Sequence, residues 1–178
     1  MRLNISNITN LRKLTSEPKR LLVFLIALGL VLFLNTCASA NLQGLVEKVV
    51  DGDTIVLLDD KKQKHTIRFF GIDAPETTTK QPFGEESKQF LASKIADKQV
   101  KIIVKDKDKY GRIIGIVKFE GRDINEEMVK EGYAWAYSYY SEVYVPQHRK
   151  AKEQKLGLWA DEKAQEPYKW RKAHRALQ

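Results

Sequence analysis

Residues 43–72 read QGLVEKVVDGDTIVLLDDKKQKHTIRFFGI and contain three runs rich in β-branched and aromatic residues. These runs predict strands at about 43–50, 53–59 and 65–72. Asp51-Gly52 and the polar residues 59–62 predict the turns between them. Short strands in close succession are typical of small barrels and sandwiches.

The rest of the chain predicts two more strands, at about 99–105 and 112–119, with turns at 106–111 and 120–121. Apolar residues at helical spacing predict helices at about 84–97 and 123–132, and a charged third helix is expected at about 145–156. Their apolar faces consist of Phe90, Leu91 and Ile95 in the first helix and Ile124, Met128 and Val129 in the second. Gly132 and Gly157 are expected to end the second and third helices.

Five short strands with a helix between the third and the fourth predict a five-stranded OB-fold β-barrel, in an α+β chain with three helices. We expect this domain to span residues 41–160. Residues 161–178 form a polar tail that contains the basic-aromatic run Tyr168-Lys169-Trp170-Arg171-Lys172. We expect the tail to be solvated or loosely docked, and an arm that touches phosphate is the alternative.

The first forty residues have the pattern of a signal peptide. Five basic residues precede or flank an uncharged apolar run of fourteen residues at 21–34, and Ala38-Ser39-Ala40 supplies a small-x-small cleavage site. We therefore expect cleavage after Ala40 and an exported mature chain, secreted or periplasmic. Two alternatives stay open: lipidation at Cys37, or an uncleaved membrane anchor formed by residues 21–34.

Removal of residues 1–40 would reduce the net charge from +8 to +4, because five basic residues and one acidic residue leave with them. The remaining charge is compatible with a nucleic-acid partner but does not require one. Cys37 is the only cysteine, so the mature chain would lack thiol catalysis, cysteine-ligated zinc and structural disulfides. Such a domain must be held together by its apolar core, and 138 residues are enough for one core.

Three short segments carry residues suited to phosphodiester chemistry. Asp51-Gly52-Asp53-Thr54 is by itself an ordinary hairpin turn. Residues 68–77, RFFGIDAPET, end a strand in Asp73 and Glu76 around a proline that stops strand pairing. Residues 108–112, DKYGR, place several phosphate-binding side chains in one turn. Carboxylates can hold a hard cation and activate water, and guanidinium groups fit a phosphate that gains charge. Spacing alone does not show that these groups converge.

The segments DGDT, RFFGIDAPET and DKYGR, in this order, resemble the signature of the staphylococcal nuclease (thermonuclease) family. The resemblance extends from about Leu45 to Trp159, and the ending EPYKWRKAHR is similar to the tails of bacterial secreted members. It implies a five-stranded OB barrel with three helices. It also implies a calcium-dependent phosphodiester hydrolase that acts on DNA and/or RNA and leaves 3′-phosphate ends.

The resemblance further implies the roles of individual residues. Asp53 and Asp73 would bind Ca²⁺ through their carboxylates, and Ala74 would bind it through its backbone carbonyl. Glu76 would orient or deprotonate the attacking water, and Asp51 would form the turn or support the site from behind. Arg68 and Arg112 would bind the scissile phosphate and stabilise the charge that develops on it. Lys109 and Tyr110 would contact a neighbouring terminal phosphate, and Tyr137 and Tyr139 would pack against the base and sugar.

Two departures from the family pattern concern the site. Ala74 stands where the best-known member of the family has threonine. The metal ligand at this position is the backbone carbonyl, so we expect metal binding to persist. The loop 77–83 is shorter and less basic than in that member, which we expect to affect substrate affinity and the choice between single-stranded and duplex substrates.

No metal spacing or triad is visible at His65, His148 and His174. We expect a monomer without a protein partner, and a non-catalytic OB-fold module that binds nucleic acid is the alternative function.

Overall fold

The computed structural model describes residues 41–174, together with Lys19 and residues 21–23 and 25–26, which are helical. Cys37 and the proposed cleavage site at Ala38–Ala40 lie outside the described residues, as does most of the apolar run. Within the described part of the chain, no helix combines the length and the apolar character that crossing a membrane requires.

Five strands form a closed barrel. β1 (Asn41–Asp51), β2 (Thr54–Asp59) and β3 (Lys64–Phe69) are antiparallel neighbours. β5 (Gln99–Lys107) lies antiparallel to β1, and β6 (Ile113–Phe119) lies antiparallel to β5. A parallel pairing between β3 and β6 closes the barrel, with Ile67 opposite Ile113 and Arg68 opposite Ile114. The predicted α+β OB-fold barrel is therefore confirmed.

The third strand is shorter than expected, because the backbone changes direction after Phe69. Gly71 has φ +72, a left-handed conformation that ends regular strand geometry. The chain then forms β4 (Ile72–Asp73), which leaves the barrel sheet and pairs antiparallel with β8 (Trp135–Ala136). A third short strand, β7 (Arg122–Asp123), extends the barrel sheet next to β6. The prediction of one continuous strand at 65–72 was wrong at its end.

Four α-helices accompany the barrel within residues 41–174. They are α1 (Gly84–Ile95), α2 (Ile124–Lys130), α3 (Val145–Glu153) and α4 (Pro167–Ala173), and a 3-10 helix spans Gly157–Ala160. α1 lies between β4 and β5, as the sequence predicts. α2 is capped by the Asp123 carboxylate, which accepts a hydrogen bond from Glu126 N–H at 3.1 Å.

Gly132 follows α2 with φ +76, which confirms it as the residue after the helix end. α3 ends earlier than predicted, because Lys155 already has φ 53. Gly157 does not end α3, and its main role is close backbone contact. A Cβ there would lie 2.4 Å from the carbonyl oxygen of Gly132, so only glycine fits without a shift.

The apolar core fills the barrel and the space beneath the first two helices. Leu91 and Ile95 of α1 are fully buried, and Phe90 stacks on Tyr133 with ring centroids 3.8 Å apart. Ile124, Met128 and Val129 of α2 are also fully buried, so the apolar faces predicted for both helices are confirmed. A smaller cluster around Ala151, Leu158 and Trp159 lies under α3 and the 3-10 helix.

The tail docks on the domain through a few contacts and is not simply solvated. Trp170 Nε1 donates a hydrogen bond to Thr79 Oγ1 at 2.8 Å, and Gln81 Nε2 donates one to the carbonyl of Gln165 at 2.8 Å. Pro167 supplies the first turn of α4, where a missing N–H costs nothing. These contacts bring the basic run of the tail to the barrel rim.

Candidate active site

The turn between β1 and β2 places Asp53 at the rim. Asp51 pairs with Thr54, so Gly52 and Asp53 form a two-residue turn. A Cβ on Gly52 would lie 1.9 Å from Ser87 Oγ, so the turn fits against α1 only with glycine. Asp51 also supports the next loop, because its carboxylate accepts a hydrogen bond from the Thr77 hydroxyl. Asp53 is thereby held at 5% exposure.

Arg68 of β3 joins two of the predicted site carboxylates. Its Nη1 lies 2.5 Å from Asp53 Oδ2, in an ion pair without hydrogen-bond geometry. Its Nη2 donates to Asp73 Oδ1 at 2.6 Å. The Arg68 side chain is only 15% exposed, so this charge contact is shielded from water. Asp53, Arg68 and Asp73 therefore converge, although they come from a turn and two different strands.

Asp73 and Ala74 follow the kink at Gly71. Asp73 is 2% exposed, and Ala74 N–H donates to Asp53 Oδ2 at 2.6 Å. Burial raises the pKa of the Asp73 carboxyl, and the nearby Arg68 guanidinium opposes that shift. Two neighbouring carboxylates are thus stabilised by a cation and by a backbone donor.

Glu76 lies on the loop after β4, and Gln81 fixes its backbone on both sides. Gln81 Oε1 accepts from Glu76 N–H at 3.0 Å, and Gln81 N–H donates to the Glu76 carbonyl at 2.9 Å. Gly84, at the start of α1, lies close to the same carbonyl. A Cβ at this position would lie 2.7 Å from the Glu76 carbonyl oxygen. Burial raises the pKa of the Glu76 carboxyl, while a hydrogen bond from Arg171 lowers it.

Arg171 of α4 is a member of this group that the sequence motifs did not single out. Its Nη1 and Nη2 donate to Asp73 Oδ1 and Oδ2, each at 3.0 Å, and its Nη1 donates to Glu76 Oε1 at 2.5 Å. Burial by itself lowers the pKa of the guanidinium, but the bonds to these carboxylates raise it overall. The only signal in the sequence is the basic-aromatic run that contains it. We call Asp53, Arg68, Asp73, Glu76 and Arg171 the rim cluster.

The predicted phosphate-binding loop 108–112 lies outside this hydrogen-bonded group. Asp108 organises the loop by accepting from the backbone N–H groups of Tyr110 and Arg112, each at 2.9 Å. Arg112 Nε donates to Asp108 Oδ2 at 2.7 Å, and no ion pair within residues 41–174 joins Arg112 to the rim cluster. Lys109 Nζ lies 5.0 Å from the ring centroid of Tyr110, which is 74% exposed. These side chains are therefore accessible to a ligand but are not yet directed at the carboxylates.

Tyr137 and Tyr139 adjoin the rim cluster. Both line a cavity of about 140 Å³ together with Asp73 and Tyr168. Tyr137 N–H donates to the Gly71 carbonyl at 2.9 Å, and the pKa of its phenol is raised by burial and by the nearby Asp73. Tyr139 is 81% exposed. The arrangement offers aromatic surface beside the carboxylates, on which a base could stack.

The histidines have other roles. His65 contacts Asp59 at 2.9 Å, His148 Nδ1 accepts from Ala136 N–H at 3.1 Å, and His174 stacks on Trp170. Burial lowers the pKa of His148, consistent with a neutral ring that accepts this bond. Among the described residues, no three His, Cys, Asp or Glu side chains are grouped as metal ligands.

Asp53 and Asp73 nevertheless fit a site for a hard cation that uses few side-chain ligands. Both carboxylates are buried, and Arg68 and the Ala74 amide hold them next to each other. Oxygen ligands of this kind suit Ca²⁺ or Mg²⁺, with backbone oxygens and waters completing the shell. Asp53 and Asp73 would hold the ion.

Comparison with known proteins identifies the family of this chain. A family model described as Staphylococcal nuclease homologue matches residues 66–161. A micrococcal nuclease of Shigella flexneri is 39% identical over 161 residues, which cover 83% of this chain and 91% of that protein. Proteins named uncharacterized endonuclease from Haemophilus influenzae and Escherichia coli are each 38% identical, over 78% and 82% of this chain and 78% and 95% of their own lengths. The chain therefore belongs to the staphylococcal nuclease family, a family of metal-dependent phosphodiester hydrolases.

Proposed function

We propose that this protein is an exported, calcium-dependent nuclease that hydrolyses phosphodiester bonds of DNA and/or RNA and leaves 3′-phosphate ends. The observation that carries the proposal is the convergence of Asp53, Arg68, Asp73 and Glu76 in one largely buried group at the barrel rim. Burial strengthens the electrostatic effect of each charge on a reacting phosphate.

Calcium bound by Asp53, Asp73 and the Ala74 carbonyl would supply positive charge that polarises a phosphoryl oxygen. Glu76 would accept a proton from the attacking water. Its raised pKa makes it a stronger base than an exposed glutamate, and Gln81 holds its backbone in place.

Arg68 would stabilise the charge that develops on the phosphate, because its guanidinium already points into the cluster. Arg112 would have to exchange its bond with Asp108 for one with the substrate. Its side chain is 37% exposed, so it has room to do so. Lys109, Tyr110, Tyr137 and Tyr139 would bind the neighbouring phosphate, base and sugar.

A nuclease assay with chelator tests this function. The protein without residues 1–40 should cut DNA or RNA with calcium and lose that activity with chelator. The apolar core does not include the rim carboxylates. The thermal midpoint of the protein should therefore fall in chelator only by the small amount that loss of bound calcium accounts for. Nucleic-acid binding without cleavage, in calcium and in other divalent cations, would instead support the binding-module alternative.

Export is part of the proposal and has its own test. β1 begins at Asn41, so cleavage after Ala40 would leave all eight strands described here in the mature chain. N-terminal sequencing of the processed protein should begin at Asn41. A lipid-modified Cys37 at the N-terminus would instead support a lipid-anchored protein. An intact segment 21–34 in the membrane fraction would support an uncleaved membrane anchor.

A further inference from the structure

Arg171 occupies the carboxylate oxygens that the proposed metal would need. Its two terminal nitrogens each lie 3.0 Å from a different oxygen of Asp73, and Nη1 also lies 2.5 Å from Glu76 Oε1. Asp73 Oδ1 additionally accepts from Arg68 Nη2 at 2.6 Å. Both oxygens of Asp73 are thus engaged by guanidinium groups.

Charge balance explains why this contact forms. Asp53, Asp73 and Glu76 bring three carboxylates to a buried site, and Arg68 compensates one of them. Buried carboxylates without a partner are strongly unfavourable. Arg171 compensates a second negative charge with a bidentate geometry that fits Asp73 closely.

A divalent cation and Arg171 would oppose each other at Asp73. Calcium binds carboxylate oxygens at about 2.3–2.6 Å, which would place it next to a guanidinium that lies 3.0 Å from each oxygen. The two positive groups would repel each other, and the three guanidinium hydrogen bonds on Asp73 leave about one of its four lone-pair sites for a cation. Binding of the cation therefore weakens the Arg171 contact, and withdrawal of Arg171 frees two of these sites.

The element that carries Arg171 is suited to withdrawal. α4 has only seven residues, and its described polar anchors to the domain, besides Arg171, are the Trp170–Thr79 bond and the adjacent Gln81–Gln165 bond. Beside it lies a cavity of about 490 Å³ bounded in part by Pro75, Phe83 and Trp170. Packing is therefore incomplete on the side of α4 that carries Trp170, which lowers the cost of displacing the helix.

We propose that Arg171 is a built-in competitor of the catalytic metal, which neutralises Asp73 and Glu76 in the metal-free protein and is displaced when the cation binds. The inference rests on the proposed calcium site. It makes the carboxyl-terminal helix an autoinhibitory element, which holds the proposed metal ligand and the proposed base together until calcium is available.

Calorimetric titration with calcium tests the competition without measuring activity. Arg171→Gln removes the competitor and should bind calcium at least about tenfold more tightly than the unaltered protein, since one buried charge pair no longer has to be broken. Lys172→Gln is the matched control: it removes the same charge from the same helix at an exposed position, and it should leave the affinity unchanged. Arg171→Lys, which keeps the charge without the bidentate geometry, should give an intermediate affinity.

Equal calcium affinity in Arg171→Gln and Lys172→Gln would overturn the competition while leaving the calcium site intact. Absence of calcium binding in all variants would overturn the calcium site and the competition together. If Arg171→Gln does not fold, NMR of the unaltered protein decides: the Arg171 guanidinium N–H signals, assigned with Arg171→Lys, should lose their protection from exchange as calcium saturates. Protection that persists at saturation would overturn the proposal.

Discussion

Gln81 binds Glu76 at both of its backbone polar groups: the amide side chain accepts from Glu76 N–H, and the Gln81 N–H donates to the Glu76 carbonyl. Gln81 is itself 5% exposed, and its side-chain nitrogen binds the carbonyl of Gln165. One buried amide thus connects the loop of the proposed base to the tail. The Gln81 carbonyl accepts a hydrogen bond from Gly84 N–H at 3.0 Å, which ties this residue to the start of α1.

Replacing Gln81 with alanine should lower turnover by about tenfold or more, because the proposed base is no longer held in place. Loss of the acceptor for a partly buried N–H should also lower the free energy of unfolding by on the order of 1 kcal/mol. Steady-state kinetics and denaturant unfolding would measure the two effects. Gln89→Ala, at an exposed position of α1, is the control. A variant that loses stability but keeps full turnover would assign Gln81 a purely structural role.

Glu76→Gln keeps the size of the side chain and removes the proposed base. Turnover should fall by about 10²–10⁴-fold, with substrate binding retained. Single-turnover cleavage and nucleotide binding, measured separately with calcium present, distinguish the two steps. Full turnover in this variant would exclude the rim cluster as the hydrolytic site.

Arg112→Ala should lower turnover by about 10²–10³-fold if its guanidinium moves from Asp108 to the phosphate. Lys109→Ala, in the same loop, should chiefly raise KM, because its proposed contact is with a neighbouring phosphate. Comparison of kcat and KM for the two variants checks the assignment. The same loss of turnover in both would show that the whole loop, and not Arg112 individually, positions the substrate.

The contribution of Asp73 and Glu76 to the stability of the protein without calcium should decrease as the pH rises above the unfolded-state pKa of about 4. The pKa values of Asp73 and Glu76 are raised by burial in the folded protein, so their contribution is fully present below the unfolded-state pKa. It is lost as the pH rises through the higher folded-state pKa. Denaturant unfolding in chelator measures this, and Glu76→Gln should have a smaller decrease over the same interval. An identical pH dependence in the variant would contradict the pKa shift of Glu76.

The sequence predicts the barrel and the rim carboxylates for a local reason. Asp53 sits in a two-residue turn and Asp73 lies two residues before Pro75, so the local sequence places both near turns, and the family resemblance supplies their role. The prediction of the end of β3 was wrong because β-forming residues stand on both sides of Gly71, whose left-handed conformation separates β4 from β3. Glycine adopts positive and negative φ about equally well, so the sequence permits this conformation but does not predict it.

Long-range contacts were harder to predict. Arg171 lies far along the chain from Asp73, and its position depends on how α4 docks through Trp170 and Gln81. Arg112 was assigned to the phosphate from its type and from family resemblance, whereas its bond with Asp108 follows from the shape of its loop. Side-chain pairing of this kind is decided by tertiary packing, for which a single sequence carries little signal.

The parallel pairing of β3 with β6 has a consequence for folding kinetics. Ile67 and Ile113 are separated by α1 and β5, so the barrel closes only after a large loop has been ordered. Contacts between distant residues form late and slowly. Arg68 lies on the strand that makes this closure, and so hydrolytic competence should appear in a refolding experiment together with the slowest step of barrel formation.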